Sequence, residues 1–119
     1  MPDSAAGVLA LDCGQSSITW SLIDADGEQV GSRKGVDTSR AIEPQLVDAV
    51  RSVMATTGAS PVTVACGSSG LDRPNAQAVL DGLRDTSVRE VALAHDSVIC
   101  YLGALGEAPG VMIASGTGV

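Results

Sequence analysis

Three stretches of the chain place acidic residues, hydroxyl groups and glycines in patterns that suit phosphate chemistry. Asp12 begins the stretch DCGQSS, Asp96 follows the run VALAH, and Gly116 begins the sequence GTG. Backbone N–H groups in a tight turn form a concave anion site, and glycine lets the chain approach a phosphate closely. No Gly-Lys-Ser/Thr follows either glycine stretch, so neither is a Walker A motif. Each stretch could equally be an ordinary turn, and the pattern alone leaves both interpretations open.

The two aspartates suit different chemistry. Asp12 could bind a hydrated Mg²⁺, because that ion keeps several waters and takes one or two carboxylates. It could also be a turn residue that hydrogen-bonds its own backbone. Asp96 could act as a general base, or it could cap the start of a helix. His95 is the single histidine, so neither a histidine metal pair nor a Ser-His-Asp set can be argued from it.

The composition is typical of a soluble domain with an aliphatic core. The chain has 119 residues, is 45% hydrophobic and contains no Phe, one Trp and one Tyr. Its net charge of −7 argues against nucleic acid as a partner. The three cysteines are widely spaced and predict neither a disulfide framework nor a zinc site. The sequence shows no signal peptide and no apolar run long enough to cross a bilayer, so we expect a cytoplasmic protein without a membrane partner.

The hydrophobic periodicity predicts the order β-β-β-α-β-α-β-α-β. Period-two alternation and turn residues predict strands, and apolar residues at helical spacing predict helices. Three antiparallel strands followed by βα units suggest a mixed sheet covered by helices, with ligands beyond the carboxyl ends of the strands. The predicted strands are 8–11, 17–24, 28–35, 61–67, 88–94 and 110–119, and the predicted helices are 44–55, 75–85 and 96–106.

Taken together, the three stretches resemble the N-terminal part of the sugar kinase, Hsp70 and actin superfamily. Asp12-x-Gly14-x-Ser16 is similar to the first phosphate motif, DxGxT/S on the first hairpin, and GTG is similar to the second. Asp96 follows Asp12 by 84 residues. This compact spacing, with ACGSSGLDRP between the two, most resembles the BadF/BadG/BcrA/BcrD-type ATPases, a group that includes the N-acetylglucosamine and glucosamine kinases.

The resemblance implies a ribonuclease H-like, actin-like ATPase domain that uses ATP and Mg²⁺, with a mixed five-stranded sheet and helices on both faces. It implies that Asp12 positions Mg²⁺ through water, that Asp96 accepts the proton of the attacking sugar hydroxyl, and that Ser69 lies near the sugar. The residues that it implies around the ATP phosphates are Gly14, Gln15, Ser16, Gly116, Thr117 and Gly118.

Two features depart from the resemblance. Cys13 and Gln15 stand where the BadF-type motif is richer in glycine, and in this respect the stretch is also similar to the glycerol and xylulose kinases. In that family, however, the second carboxylate comes much later in the chain. Val36-Asp37-Thr38 occupies the region where amino-sugar kinases often carry an Asn, so the identity of the sugar stays open.

The resemblance also predicts a division of the chain. We expect an N-terminal actin-like ATPase domain over residues 1–107 and the opening strand of a second, nucleotide-binding domain over 108–119. The superfamily binds ATP between two such halves. We therefore interpret the chain as a fragment of a kinase that is inactive by itself and could form a homodimer.

We expect ATP-dependent phosphorylation of a sugar, with an amino sugar such as N-acetylglucosamine or glucosamine as the acceptor. Two alternatives stay open. The first is an ATPase that activates a reductase or dehydratase, which would require an iron–sulfur cluster held by cysteines. The second is a non-catalytic sugar-sensing domain on the same fold, since fold does not fix function.

Overall fold

Six strands form one mixed sheet in the computed structural model, which describes residues 7–67, 75–95 and 112–115. Two helices are described beside it. The strands are β1 (Val8–Cys13), β2 (Ser17–Asp24), β3 (Gly27–Lys34), β4 (Thr63–Gly67), β5 (Glu90–Ala94) and β6 (Met112–Ser115), and the helices are α1 (Ile42–Thr57) and α2 (Ala76–Asp81).

The strand order across the sheet is β3-β2-β1-β4-β5-β6. The first three strands form an antiparallel meander, as the sequence predicts. β4 runs parallel to β1, and β5 runs parallel to β4. The chain is therefore a mixed α/β protein in which β1, β4 and β5 end at the same edge of the sheet, which we call the carboxyl edge.

The expectation of a five-stranded sheet is wrong, because β6 joins the sheet as a sixth strand. It pairs antiparallel with β5, from Leu93 opposite Met112 to Glu90 opposite Ser115. The open edge of β5 offers unpaired N–H and C=O groups, and a short apolar run satisfies them. The predicted domain division at residues 107 and 108 is not tested and stays a prediction.

The core lies on one face of the sheet and is aliphatic, as the composition predicts. Both helices pack on this face, and Trp20 is a half-buried neighbour of the core. The opposite face carries Asp12 and, beneath it on β4 and β5, a small buried cluster of Ala65 and Ala92. The largest core side chains that are fully buried are Leu9, Leu11, Ile18, Leu22, Leu46, Val50, Val64, Val79, Leu80, Leu83, Val88 and Val91.

Helix α1 is two residues longer at each end than the predicted range 44–55. Pro44 lies in its first turn, where a missing N–H costs nothing. Gly58 ends it in the left-handed conformation, with φ of 73° and its N–H donating to the Met54 carbonyl at 2.8 Å. Val50 and Val53 are among the residues that it buries.

Helix α2 ends four residues before the predicted limit at 85, and turns replace its last part. Asn75 caps its start by accepting hydrogen bonds from the N–H groups of Gln77 and Ala78. Leu83 follows the helix and is nevertheless buried, so the predicted apolar face persists beyond the helical turns. The predicted helix over 96–106 lies outside the described residues. Neither of the two helices in the described ranges is long and apolar enough to cross a membrane.

Candidate functional site

Asp12 lies on an exposed face of β1, close to the carboxyl edge. The sequence predicts that the strand ends before Asp12. This prediction is wrong, because β1 continues through Cys13. Alternation explains it, because Leu11 and Cys13 point into the core and Asp12 points out between them. A polar residue at the exposed position of a half-buried strand keeps the period of two and does not end the strand.

The register brings the ends of three strands together beside this carboxylate. Asp12 stands opposite Thr19 on β2 and opposite Gly67 on β4, and Gly67 in turn stands opposite Ala94 on β5. Thr19 and Asp12 are both exposed, whereas Gly67 is buried. A ligand at this edge would therefore meet a carboxylate and a hydroxyl on one side and a strand end without a side chain on the other.

A two-residue turn of Gln15 and Ser16 follows β1 at the same edge. Its closing hydrogen bond runs from the Gly14 N–H to the Ser17 carbonyl oxygen at 3.0 Å. Gln15 and Ser16 are exposed. Within the described ranges their backbone N–H groups have no hydrogen-bond partner. The turn thus presents two free donors beside the Asp12 strand end, which suits an anion.

Gly14 does not take part through an unusual backbone conformation. Among the described glycines only Gly27 and Gly58 have positive φ. A Cβ at Gly14 would lie 3.2 Å from the Ser17 carbonyl oxygen, so the glycine instead allows a close approach of two backbone segments.

Gly35 supports the turn from the end of β3, and sequence reasoning missed it. A Cβ at Gly35 would overlap the Gln15 carbonyl group and would lie 2.7 Å from the Gly14 carbonyl oxygen. The next residue, Val36, is buried and donates its N–H to the same Gly14 oxygen at 2.9 Å. The available signal was a glycine followed by a lone apolar residue in a polar stretch.

Gln45 on α1 fixes the loop that leaves Gly35, and it was also missed. Its Oε1 accepts the Asp37 N–H at 2.8 Å, and its Nε2 donates to the carbonyl oxygens of Asp37 at 2.9 Å and Ala41 at 2.8 Å. Asp37 completes the loop by accepting the Ser39 hydroxyl at 2.6 Å and the Ser39 N–H at 2.9 Å. The Ser39 hydroxyl and N–H lower the pKa of Asp37. Asp37 is therefore a loop-forming residue in this structure.

The donor set is sparse. Among the described residues no group of three His, Cys, Asp or Glu side chains is placed to bind a metal ion. Asp12 offers a single exposed carboxylate, which suits Mg²⁺ because that ion takes one or two carboxylates and fills its other positions with water and phosphate oxygens. Asp12 therefore fits Mg²⁺ as one of its ligands. Cys13 and Cys66 are buried in the core.

Five of the predicted site residues lie outside the described chain. Ser69 and Asp96 come two residues after Gly67 and Ala94, the last residues of β4 and β5. Gly116, Thr117 and Gly118 follow β6. The roles of these five residues stay predictions.

β1, β4 and β5 end at the carboxyl edge, and β6 does not. Since β6 is antiparallel to β5, its last residue Ser115 stands beside Glu90, at the end of the sheet opposite the carboxyl edge. In the described chain, Asp12, Gly14, Gln15 and Ser16 therefore lie together at the carboxyl edge, and β6 ends at the opposite end of the sheet.

Comparison with known proteins gives fold-level likenesses only. No protein-family model and no curated protein matches the chain. Thermus thermophilus RuvC in complex with a Holliday junction substrate is similar at 17% identity and a TM-score of 0.44, covering 87% of this chain and 82% of that one. Another structure of Thermus thermophilus RuvC has 17% identity and a TM-score of 0.43, with 73% and 62% covered.

Marinitoga piezophila Argonaute in complex with a guide RNA and target DNA is similar at 11% identity and a TM-score of 0.44. This likeness covers 81% of the present chain and 18% of the Argonaute chain. Likenesses at this level assign no function to the chain, because one fold hosts many activities.

Proposed function

We propose that the chain is a ribonuclease H-like domain of the actin-like ATPase type and the N-terminal part of an ATP-dependent sugar kinase. The observation that supports this most is the placement of Asp12. Its exposed carboxylate lies at the carboxyl edge, two positions before Gly14, and the turn at Gly14 offers two N–H groups that have no partner among the described residues. Phosphoryl transfer depends mainly on positioning of the reacting groups and on stabilisation of the phosphate charge. A carboxylate that binds Mg²⁺ and nearby backbone amides can contribute to both.

In this proposal Asp12, Gln15 and Ser16 bind the nucleotide and its metal ion. The N–H groups of Gln15 and Ser16 donate to phosphate oxygens, and the Ser16 hydroxyl adds a further donor. Asp12 holds a hydrated Mg²⁺ through water, and when bound the ion neutralises phosphate charge. Gly35 and Val36 keep the turn in place through the contacts with Gly14 and Gln15.

The catalytic and sugar-binding roles fall on residues outside the described ranges. Asp96 would accept the proton of the attacking sugar hydroxyl, which requires hydrogen-bond reach to that hydroxyl. Ser69 would contact the sugar, and Gly116, Thr117 and Gly118 would form a second phosphate loop. The acceptor would be an amino sugar such as N-acetylglucosamine or glucosamine.

Calorimetric titration of the chain with Mg–ATP tests the phosphate site. We expect Asp12→Asn to weaken binding by about tenfold, since a neutral amide is a poorer partner for a hydrated cation. Asp26→Asn is the matched control, because Asp26 lies in the β2–β3 turn at the opposite end of the sheet. Equal affinity for Mg–ATP in the unchanged chain and both variants would show that Asp12 is not part of the phosphate site.

Coupled ADP release tests the kinase assignment separately. It is measured with N-acetylglucosamine, glucosamine, glucose and no sugar, on a protein that includes the complementary half. Turnover that depends on one amino sugar supports the kinase. Turnover that is equal without sugar, or ATP binding without turnover, would contradict the kinase and leave a nucleotide-binding site.

A further inference from the structure

Strand β3 forms one edge of the sheet, and no other described strand pairs with its outer side. It is the first strand in the order β3-β2-β1-β4-β5-β6 and has eight residues. All of them are exposed except Gly31 and Arg33, which are half-buried, and Val30 is 70% exposed. An edge strand presents a row of unpaired N–H and C=O groups that can pair with another chain.

The register shows which residues of β3 turn these groups outward. The Gly14 N–H donates to the Ser17 carbonyl oxygen. The backbone N–H and C=O groups of the odd-numbered residues of β2 therefore point toward β1, and those of the even-numbered residues point toward β3. Trp20 stands opposite Gly31, so Gly31 and the other odd-numbered residues of β3 bond to β2. The outward-facing residues are therefore Glu28, Val30, Ser32 and Lys34.

These four side chains also share one face of the sheet, because side chains alternate along a strand. The Glu28 carboxylate is held on this face by the Ser21 hydroxyl, which donates to it at 2.5 Å. Lys34 is exposed on the same face at the other end of the strand. Gly31 lies midway, three residues from Glu28 and three from Lys34. The outward edge thus carries opposite charges at equal distances from its centre.

We propose that β3 pairs with β3 of a second copy of this chain, in a two-fold antiparallel arrangement centred on Gly31. In this register Gly31 stands opposite Gly31, Val30 opposite Ser32, and Glu28 opposite Lys34, each pair across the two copies. All four outward-facing residues find hydrogen-bond partners, and two symmetric Glu–Lys pairs close the ends. The two six-stranded sheets then join into one. This proposal does not depend on the proposed kinase function.

Neighbouring registers lack this complementarity. Centring the pair on Val30 places Glu28 opposite Ser32, and centring it on Ser32 places Val30 opposite Lys34. Charges on an edge strand usually prevent pairing, but here they are placed to attract an identical strand. Strand-to-strand contact alone is small, at the low end of interface sizes, so we expect a reversible dimer that depends on concentration.

Charge-reversal variants at the two ends of β3 test the register. Sedimentation equilibrium of the chain from low micromolar to submillimolar concentration should show a monomer–dimer equilibrium. Glu28→Lys places Lys opposite Lys, and Lys34→Glu places Glu opposite Glu. We expect each variant to dimerise about tenfold more weakly than the unchanged chain. An equimolar mixture of the two variants should recover dimerisation, because each mixed pair is again of opposite charge.

A backbone variant tests the same edge without changing charge. Ser32→Pro removes an outward-facing N–H, which β2 does not use, so the monomer should keep its far-ultraviolet circular dichroism while the dimer is lost. A chain that stays monomeric throughout the concentration range would overturn the proposal. A dimer that neither Ser32→Pro nor the single charge variants weaken would also overturn it, because the contact would then lie on another surface.

Discussion

The N–H of Val36, just after β3, donates to the carbonyl oxygen of Gly14, just after β1, at 2.9 Å. Val36 follows Gly14 by 22 positions in the sequence. This bond ties the candidate phosphate turn to the loop before α1, where Gln45 holds Asp37 in place. The turn therefore depends on the third strand and the first helix as well as on its own residues.

Gly35→Ala should displace the Gln15–Ser16 turn. A methyl group at Gly35 meets backbone atoms of Gly14 and Gln15, which cannot move aside as a flexible side chain can. Overpacking of this kind costs about 1–3 kcal/mol of unfolding free energy, and we expect Mg–ATP affinity to fall with it. Urea denaturation and calorimetric titration measure the two effects.

Gly31→Ala is the matched control for that variant. Its methyl group meets the Trp20 ring, with Cε2 at 2.7 Å, and not the turn. We expect Gly31→Ala to lower stability and to leave Mg–ATP affinity unchanged. If both glycine variants lost affinity equally, the loss would reflect general destabilisation and the role of Gly35 would be refuted.

Gln45→Ala should loosen the loop between β3 and α1. The substitution removes one acceptor and one donor group that together make three hydrogen bonds to the loop backbone, and we expect a loss of about 1–2 kcal/mol in unfolding free energy. Amide hydrogen exchange at Val36 should become faster. Gln45→Glu keeps the acceptor and loses the donor, so an intermediate effect is expected, and unchanged exchange at Val36 in both variants would contradict the account.

Acid should weaken the link between α1 and the turn after α2. Arg51 donates to Asp85 at 2.6 Å and to the Gly82 carbonyl oxygen at 2.8 Å. The hydrogen bond from Arg51 lowers the pKa of Asp85 below its ordinary value of 3.8. Because the folded pKa is the lower one, the stabilisation is fully present above pH 3.8 and is lost as the pH falls through the folded pKa.

Asp85→Asn should therefore be less stable than the unchanged chain at neutral pH and converge with it in acid. Urea denaturation of both proteins at a series of pH values measures the difference. Hydrogen bonds from Gln77 and Arg84 to Asp81 lower the pKa of that residue too, so Asp85→Asn should keep part of the acid sensitivity. A difference that stays constant down to pH 2 would contradict the assigned role of Asp85.

Regular alternation made much of the sheet predictable. β2 occupies the predicted range because Ile18, Trp20 and Leu22 alternate with polar residues, and this period of two is typical of a half-buried strand. The predicted range 8–11 stops short of the end of β1, because a carboxylate after an apolar run resembles a break, although Asp12 on the exposed face fits a continuing strand. Similarly, α2 was predicted too long because buried Leu83 continues its apolar pattern through a turn.

Contacts between distant segments were not predictable. Nothing local in the sequence indicates that Gly35 lies against Gln15 or that Gln45 binds the backbone at Asp37, because both relations depend on how β3 and α1 pack. The antiparallel direction of β6 was missed for the same reason. An apolar run predicts a strand, but its neighbour and direction are set by the free edge that it meets.

Nuclear magnetic resonance of the nitrogen-15 labelled chain during addition of Mg–ATP shows whether the Gln15–Ser16 turn binds phosphate. We expect the amide signals of Gln15 and Ser16 to shift in a saturable manner, the Asp26 amide signal to stay in place, and Asp12→Asn to weaken the response. Absence of any shift at Gln15 and Ser16, or shifts confined to other parts of the sheet, would contradict the assignment of this turn as a phosphate site.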